Sequence, residues 1–410
     1  MLVLFPSDPF DTWKPDPDWA EEARIAQECG HKVAFIHYES LVNEGNAVAA
    51  VKKVPLQGET TSAIYRGWML TTGQYAKLYE ALMRECWVGL ITTPEQYKNT
   101  HELPGWYGAL EDATPESRWF PVADVIFGKD RELDVKVINA AQQMAPCIVK
   151  DYVKSRKHEW KEACFIPDAD SASTVISNFV ERQGDDLQGG VVLREFVPLK
   201  SLGKHPQSGM PMSEEYRFFW LNGHAICLSE YWDSDAYEHE TFELSEPEGG
   251  WEEGMEREVT SPKSVSELPS FEELAELVRD IDSPFFTVDL AQTEDGEWLI
   301  MEIGDGQVSG FPQMPRDAQK FYPALDPVMA HKHRRPKPVP LTQNDLDKMG
   351  CAAEGCDHTN HDGGMFFHPR CHVGSPTWCV YIDGELRVSC SECEQLVARI
   401  AVDPGPFPRH

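Results

Sequence analysis

Two acids carry the strongest chemical signal in the chain. In Phe285–Phe311, FFTVDLAQTEDGEWLIMEIGDGQVSGF, Asp289 and Glu302 stand in β-prone runs on either side of Asp295-Gly296. Such runs around an Asp-Gly pair predict a hairpin. Antiparallel pairing would let both carboxylates face one side, where hard oxygen donors suit magnesium. Asp305 follows at a glycine-flanked bend and could add a third oxygen. Acids also decorate hairpin ends with no ligand, so the weight of this reading depends on what else the chain brings to the same place.

Several other residues fit such a site. Lys150 lies within the strand-like PCIVKDYV and Lys154 follows it. Lysines beside a buried strand can meet a phosphate while their stems cover apolar surface, or simply reach solvent. In LREFV, the backbone of Glu195 and Val197 could read the edge of a nucleotide base while Phe196 encloses its ring; a plain core strand is the competing reading. Arg194 would point away from Glu195. Glu215 and Arg217 share one face of a strand, where Arg217 could clamp a phosphate with its planar donor fork or only pair with Glu215.

A second constellation closes the chain. Between Cys351 and Cys393 lie six of the eleven cysteines and several histidines. Cys390-Ser391-Glu392-Cys393 presents two thiols around a knuckle, preceded by the hairpin-like TWCVYIDGELRVS. Cys371, Cys390 and Cys393 with His368 form the leading set for a structural zinc ion, with Cys356, His358, His361 and His372 as alternatives for the facing half. A redox-inert cysteine cluster is the competing reading.

The elements that would position these groups follow from patterning. Strand signals at Leu2–Phe5, Lys32–His37, Ser62–Arg66 and Val88–Thr92 alternate with helical stretches at Trp19–Cys29 and Tyr75–Cys86, predicting a small α/β layer with a mostly parallel sheet. Residues 97–117 read as an irregular connection. A second unit holds strands at Pro146–Tyr152 and Gly189–Val197, a hairpin at Glu215–Trp220 and His224–Ser229, helices at Thr174–Glu181 and Ser270–Asp280, and the acid hairpin. The acidic interval Glu230–Glu258 reads as a solvated insertion or a lid, and Pro323–Pro340 as a linker. The expected division is 1–117, 118–330, a linker at 331–349, and a Cys/His unit at 350–410.

Bulk properties limit the function classes. The net charge of −31, from 68 acids against 37 bases, opposes a surface that wraps nucleic acid. The basic stretch KHRRPK at 332–337 reads more simply as linker than as a binding patch. There is no apolar run long enough to span a membrane and no leader-like N-terminus, and scattered thiols suit a reducing, cytoplasmic setting. A glycine-rich phosphate loop is missing from the N-terminal layer, which argues against a dinucleotide or P-loop fold.

The ordered blocks CIVKDYVKS, VVLREFV, EYRFF and FTVDLAQTEDGEWLIMEIGDGQ resemble divergent ATP-grasp proteins, in particular the clade that includes relatives of a eukaryotic cell-division-cycle assembly factor. YRGWML at 65–70, TTPEQY at 92–97 and HELPGWY at 101–107 resemble the connection from that clade's preceding α/β domain. The resemblance implies a mixed α/β and α+β architecture: a pre-grasp α/β domain, an ATP-grasp domain and, here, a small metal-binding extension. It implies Lys150 as a phosphate-binding lysine, Glu195 to Val197 as the adenine hinge, Arg217 as a phosphate or intermediate clamp, and Asp289 and Glu302 as magnesium ligands. The common arrangement has an asparagine two positions beyond the second acid; Gly304 occupies that offset, so Asp305 could compensate. Arg66 could contact substrate or nucleotide, or pack against neighbouring acids. The implied activity is an ATP-dependent carboxylate–amine ligase acting through an acyl phosphate on a peptide, protein or small metabolite. A noncatalytic ATP-binding assembly factor is the alternative.

Overall fold

The apolar run Leu2–Pro6 is buried along its whole length because neighbouring strands flank it and both faces are covered. In the computed structural model, which describes residues 1–127, 132–133, 135–205, 208–232, 268–332, 377–382, 385–390 and 396–401, it pairs in parallel with Lys32–Ile36 and Thr61–Tyr65. Val88–Leu90 completes this four-stranded parallel sheet. Helices Ala20–Glu28 and Thr72–Ala81 belong to the same layer, the second started by a capping box between Thr71 and Gln74. Contacts divide the chain into two units, Met1–Met329 and Ala330–His410.

Two antiparallel sheets follow within the first unit. The lysine-bearing sheet runs in the order Ser117–Pro121, Gly190–Glu195, Cys147–Asp151, Phe165–Ile166. Alternation sends Cys147, Val149, Val191 and Leu193 into a core with Val137, Ile176 and Phe179 from helices Val135–Met144 and Ala172–Gln183. Lys150, Val192 and Arg194 therefore point to the other face. The acid-bearing sheet has the order His224–Glu230, Glu215–Leu221, Phe285–Gln292, Trp298–Asp305. On one face Phe286, Val288, Leu290 and Ile303 pack with Leu103 and Trp106. The opposite face is apolar at Phe219 and Phe285, which meet Phe311 and Phe321, and becomes charged at Arg217 and Asp289.

Two expectations are corrected. Residues 97–117 are not an irregular connection throughout: Pro94–His101 is a helix, with Thr93 and Gln96 forming a capping box and proline in the first turn, where its missing N–H costs nothing. Leu103–Trp106 adds a further turn. The stretch from Pro323 is helical as far as Lys332, in Arg316–Lys332, because Ala318, Phe321, Tyr322 and Leu325 bury one face and outweigh two internal prolines. The rest of the expected linker and most of the acidic interval lie outside the described residues. In the second unit, Thr377–Ile382 and Glu385–Cys390 form the expected hairpin, and Leu396–Ala401 adds a third antiparallel strand that patterning did not suggest.

Candidate active site

Asp289 and Glu302 sit directly opposite each other in the antiparallel pair, so their side chains leave the sheet on the same face. A one-residue irregularity follows at once, between Asp289 and Leu290, and bends the strand beside the acids. Arg217 is the cross-strand partner of Asp289 on the other side. It grips that carboxylate with two bonds, Nε to Oδ1 at 2.8 Å and Nη2 to Oδ2 at 2.7 Å, and its Nη1 donates to Gly310 O at 3.1 Å. Glu302 accepts from Lys150 Nζ at 2.7 Å, a bond that joins the two sheets. Burial opposes the charge on Arg217 but Asp289 outweighs it and raises the guanidinium pKa. Burial likewise opposes ionisation of Glu302, and Lys150 wins, holding its carboxyl below the usual range.

Further groups surround this quartet. Arg194, 5% exposed, spends its guanidinium on Ser117 Oγ, Thr114 Oγ1 and Met301 O, which fixes the edge strand next to Glu302. Burial pulls its pKa down to about 10 against the opposing pull of Glu302. Lys157 lies over the Tyr231 ring at 5.6 Å. Tyr231 holds the Lys157 pKa above the ordinary range against burial, with Glu215, Glu302 and Asp289 adding to the effect. Glu215 bonds Ser213 Oγ, and burial raises its pKa.

The remaining expected nucleotide contacts are placed as follows. Lys154 is exposed on a tight turn in which Asp151 Oδ1 accepts from the amides of Val153 and Lys154. At the end of Gly190–Glu195 the backbone leaves the ladder: Glu195 N donates to Glu116 O at 2.8 Å and Phe196 N to Pro146 O at 3.2 Å. Among the described residues nothing accepts from the Val197 amide. Phe196 packs on Phe165 at 4.8 Å and Trp160 at 6.1 Å, in a cluster with Ile148, Met210 and Trp232. An apolar wall thus adjoins a strand edge.

Asp305 is not brought to Asp289 and Glu302. The strand continues through it, and an odd spacing from Glu302 turns it to the opposite face, where it is fully buried. Its Oδ1 accepts from Gln307 N at 3.0 Å and Oδ2 lies 3.5 Å from Thr100 Oγ1; burial raises its pKa to about 7. Gly304 does share the face of Glu302. A Cβ there would stand 2.8 Å from Thr287 Oγ1 and 2.9 Å from Ser309 Oγ, two hydroxyls bonded to each other at 2.8 Å. No longer side chain fits at that offset. Arg66 is fully buried and takes the structural option, pairing with Glu22 at 2.7 Å and donating to Gly306 O and Ser309 O.

For the terminal constellation, His368, Cys371 and Cys393 lie outside the described residues, and Cys390 ends a strand. Among the described residues no cluster of three or more potential ligands could hold a metal ion, which agrees with a magnesium site built on only two carboxylates. Sequence reasoning overlooked Lys157 and the buried role of Arg194. The first has no spacing signal of its own; the second was legible as a charge on the inward parity of an apolar strand.

The geometry defines a charged cleft between two antiparallel sheets, with lysine on one and paired acids on the other. Residues 140–325 match an ATP-grasp domain family, the third family of its clade, and this segment is an ATP-grasp domain of that clade. Solved structures with a similar course include a RimK domain protein ATP-grasp from Sphaerobacter thermophilus, 13% identical, covering 80% of this chain and 100% of that one at a TM-score of 0.43. D-cycloserine synthetase DcsG is 12% identical, covering 79% and 97% at 0.44, and C-terminally truncated Cdc123 from Schizosaccharomyces pombe is 14% identical, covering 51% and 84% at 0.34. No curated protein matches the sequence. No helix among the described residues is long and apolar enough to cross a membrane.

Proposed function

We propose that the chain is an ATP-dependent ligase that activates a carboxylate and joins it to an amine or related nucleophile. The observation that carries this reading is the directly paired Asp289 and Glu302, each neutralised by a separate cation, Arg217 and Lys150. Magnesium suits the donor set, because it takes one or two protein carboxylates and leaves the rest of its shell to phosphate oxygens and water. When bound, magnesium–ATP supplies the phosphoryl group that makes a carboxylate reactive.

This chain's residues have the remaining tasks. Asp289 and Glu302 would hold the metal. Lys150 and Arg217, displaced from the acids by the competing ion, would turn their donors to phosphoryl oxygens, with Lys157 behind them. Arg194 stays with its carbonyls and keeps the Glu302 strand in place. Phe196, Ile148 and Met210 would enclose the base, and the backbone of Glu195 and Val197 would read its edge. A thiol nucleophile has no support among the described cysteines: burial pushes Cys147 up to about 11 and Cys164 and Cys227 up to about 12.

ADP release should be measured with ATP, magnesium and a panel of peptide, protein and small-metabolite carboxylates paired with amines. Turnover should require both partners. Asp289→Asn and Glu302→Gln should each lower it by roughly 100-fold or more, the scale of losing one preorganised electrostatic group. Turnover retained in both folded variants removes the metal assignment. Tight ATP binding with no turnover across the panel favours the assembly-factor reading instead.

A further inference from the structure

His101 is a buried imidazole with no hydrogen-bond partner, set beside the charged cleft. The residue is 5% exposed, and its Nε2 is enclosed and unpaired. Its neighbours fix where it stands. Thr100 Oγ1 lies 3.5 Å from Asp305 Oδ2, at the end of the strand that carries Glu302. Leu103 N donates at 2.8 Å to Tyr152 O, just past the strand that carries Lys150. His101 is thus bracketed between the two strand ends that supply the Lys150–Glu302 bond.

Packing rather than hydrogen bonding orients the ring. It lies against Tyr97 at 4.7 Å, and Tyr97 stacks on Tyr75 at 4.0 Å with a 6° interplanar angle. Tyr97 is held by its hydroxyl to Leu70 O at 2.7 Å, and Tyr75 to Thr92 O at 2.7 Å. A phenyl ring would satisfy such a column, whereas an imidazole leaves a buried polar nitrogen without a partner, which is costly. Burial holds the ring neutral, lowering its pKa from 6.5 to about 4; Glu302 opposes that shift while Lys154 and Lys150 add to it. A neutral imidazole keeps one N–H to donate.

We infer that His101 contacts the bound nucleotide, donating from Nε2 to a phosphoryl oxygen held between Lys150 and the metal on Glu302. This rests on the ATP-dependent reading above. The charged groups in electrostatic reach of the ring, Glu302, Lys154 and Lys150, are those that would surround a phosphoryl group, so an anionic oxygen is the partner that the unpaired nitrogen lacks.

The test is binding, not turnover. Magnesium with the non-hydrolysable analogue AMPPNP is titrated into the wild-type chain, His101→Phe and His101→Gln, with melting temperatures recorded without nucleotide. The phenylalanine variant keeps the aromatic column but loses the donor, and should bind about tenfold more weakly; the glutamine variant should recover most of that loss. Equal affinity for wild type and His101→Phe, or a glutamine variant no better than the phenylalanine one, overturns the inference. If His101→Phe does not fold, the wild-type chain with ¹⁵N-labelled histidine decides. The His101 Nε2 resonance should move with magnesium–AMPPNP and not with magnesium alone, and an unmoved resonance overturns the contact. Should wild type bind no AMPPNP while magnesium is present, the nucleotide reading itself fails, a result distinct from unchanged affinity in the variants.

Discussion

Asp305→Asn separates a structural carboxyl from a metal ligand. Asp305 is fully buried, and its carboxyl is raised from 3.8 to about 7 by that burial. Between these limits the folded chain keeps a proton that the unfolded chain has lost, so wild-type stability is fully present below pH 4 and falls as pH rises towards 7. Three units at ~1.36 kcal/mol each place the loss on the order of 4 kcal/mol. Asparagine is isosteric with the protonated form: its carbonyl can accept from Gln307 N and its amide can donate to Thr100 Oγ1. The variant should therefore match wild type near pH 4 and exceed it by a few kcal/mol at pH 8, roughly the penalty removed. Urea titrations of both proteins from pH 4 to 8 measure this, and their difference cancels groups that titrate alike in both. A flat difference curve, or a less stable variant at pH 8, would refute the reasoning. AMPPNP affinity should be unchanged; a tenfold loss would return Asp305 to the metal.

Arg66→Met should destabilise the first unit by about 3–5 kcal/mol in urea titrations, since it strands Glu22 as a buried, unpaired charge, and adding Glu22→Gln should recover part of that loss. Lys157→Gln should weaken AMPPNP binding about tenfold by calorimetry, whereas exposed Lys154→Gln should change it much less. Elemental analysis of freshly reduced protein should find about one zinc per chain, reduced in Cys390→Ser and Cys393→Ser; protein free of zinc sinks the assignment of the terminal cluster.

The acid hairpin was legible because its signals agree: β-prone runs, an Asp-Gly turn and acids placed so that antiparallel pairing sets them side by side. Asp305 was misplaced although its odd spacing from Glu302 already implied the opposite face, because the glycines around it suggested a bend that the strand does not make there. Proline content misled at Pro323, where the spacing of Ala318, Phe321, Tyr322 and Leu325 was the better guide. At Thr93-Pro94-Glu95-Gln96 a helix start was written in plain capping chemistry and read as a loop. His101 and Lys157 were beyond reach for another reason: their neighbours come from strands far away in sequence, and local patterning carries no information on such meetings.

Gly304 shows how the departure from the common ATP-grasp arrangement is accommodated. The space that a side chain would need is taken by the Thr287–Ser309 hydroxyl pair, and Ser309 also bonds Asp305 O at 2.9 Å. That pair pins the loop after the acid strand, and Arg66 pins it again from the N-terminal layer through Gly306 O and Ser309 O. One residue further on, Gly310 O accepts from Arg217, which grips Asp289. The chain has thus exchanged a third metal donor for a fixed loop that sets the angle of its acid–arginine pair. With only two carboxylates on that face, a magnesium ion must complete its shell with phosphate oxygens and water. The metal would then be held well only together with its nucleotide, and the N-terminal layer would shape the site without contacting either.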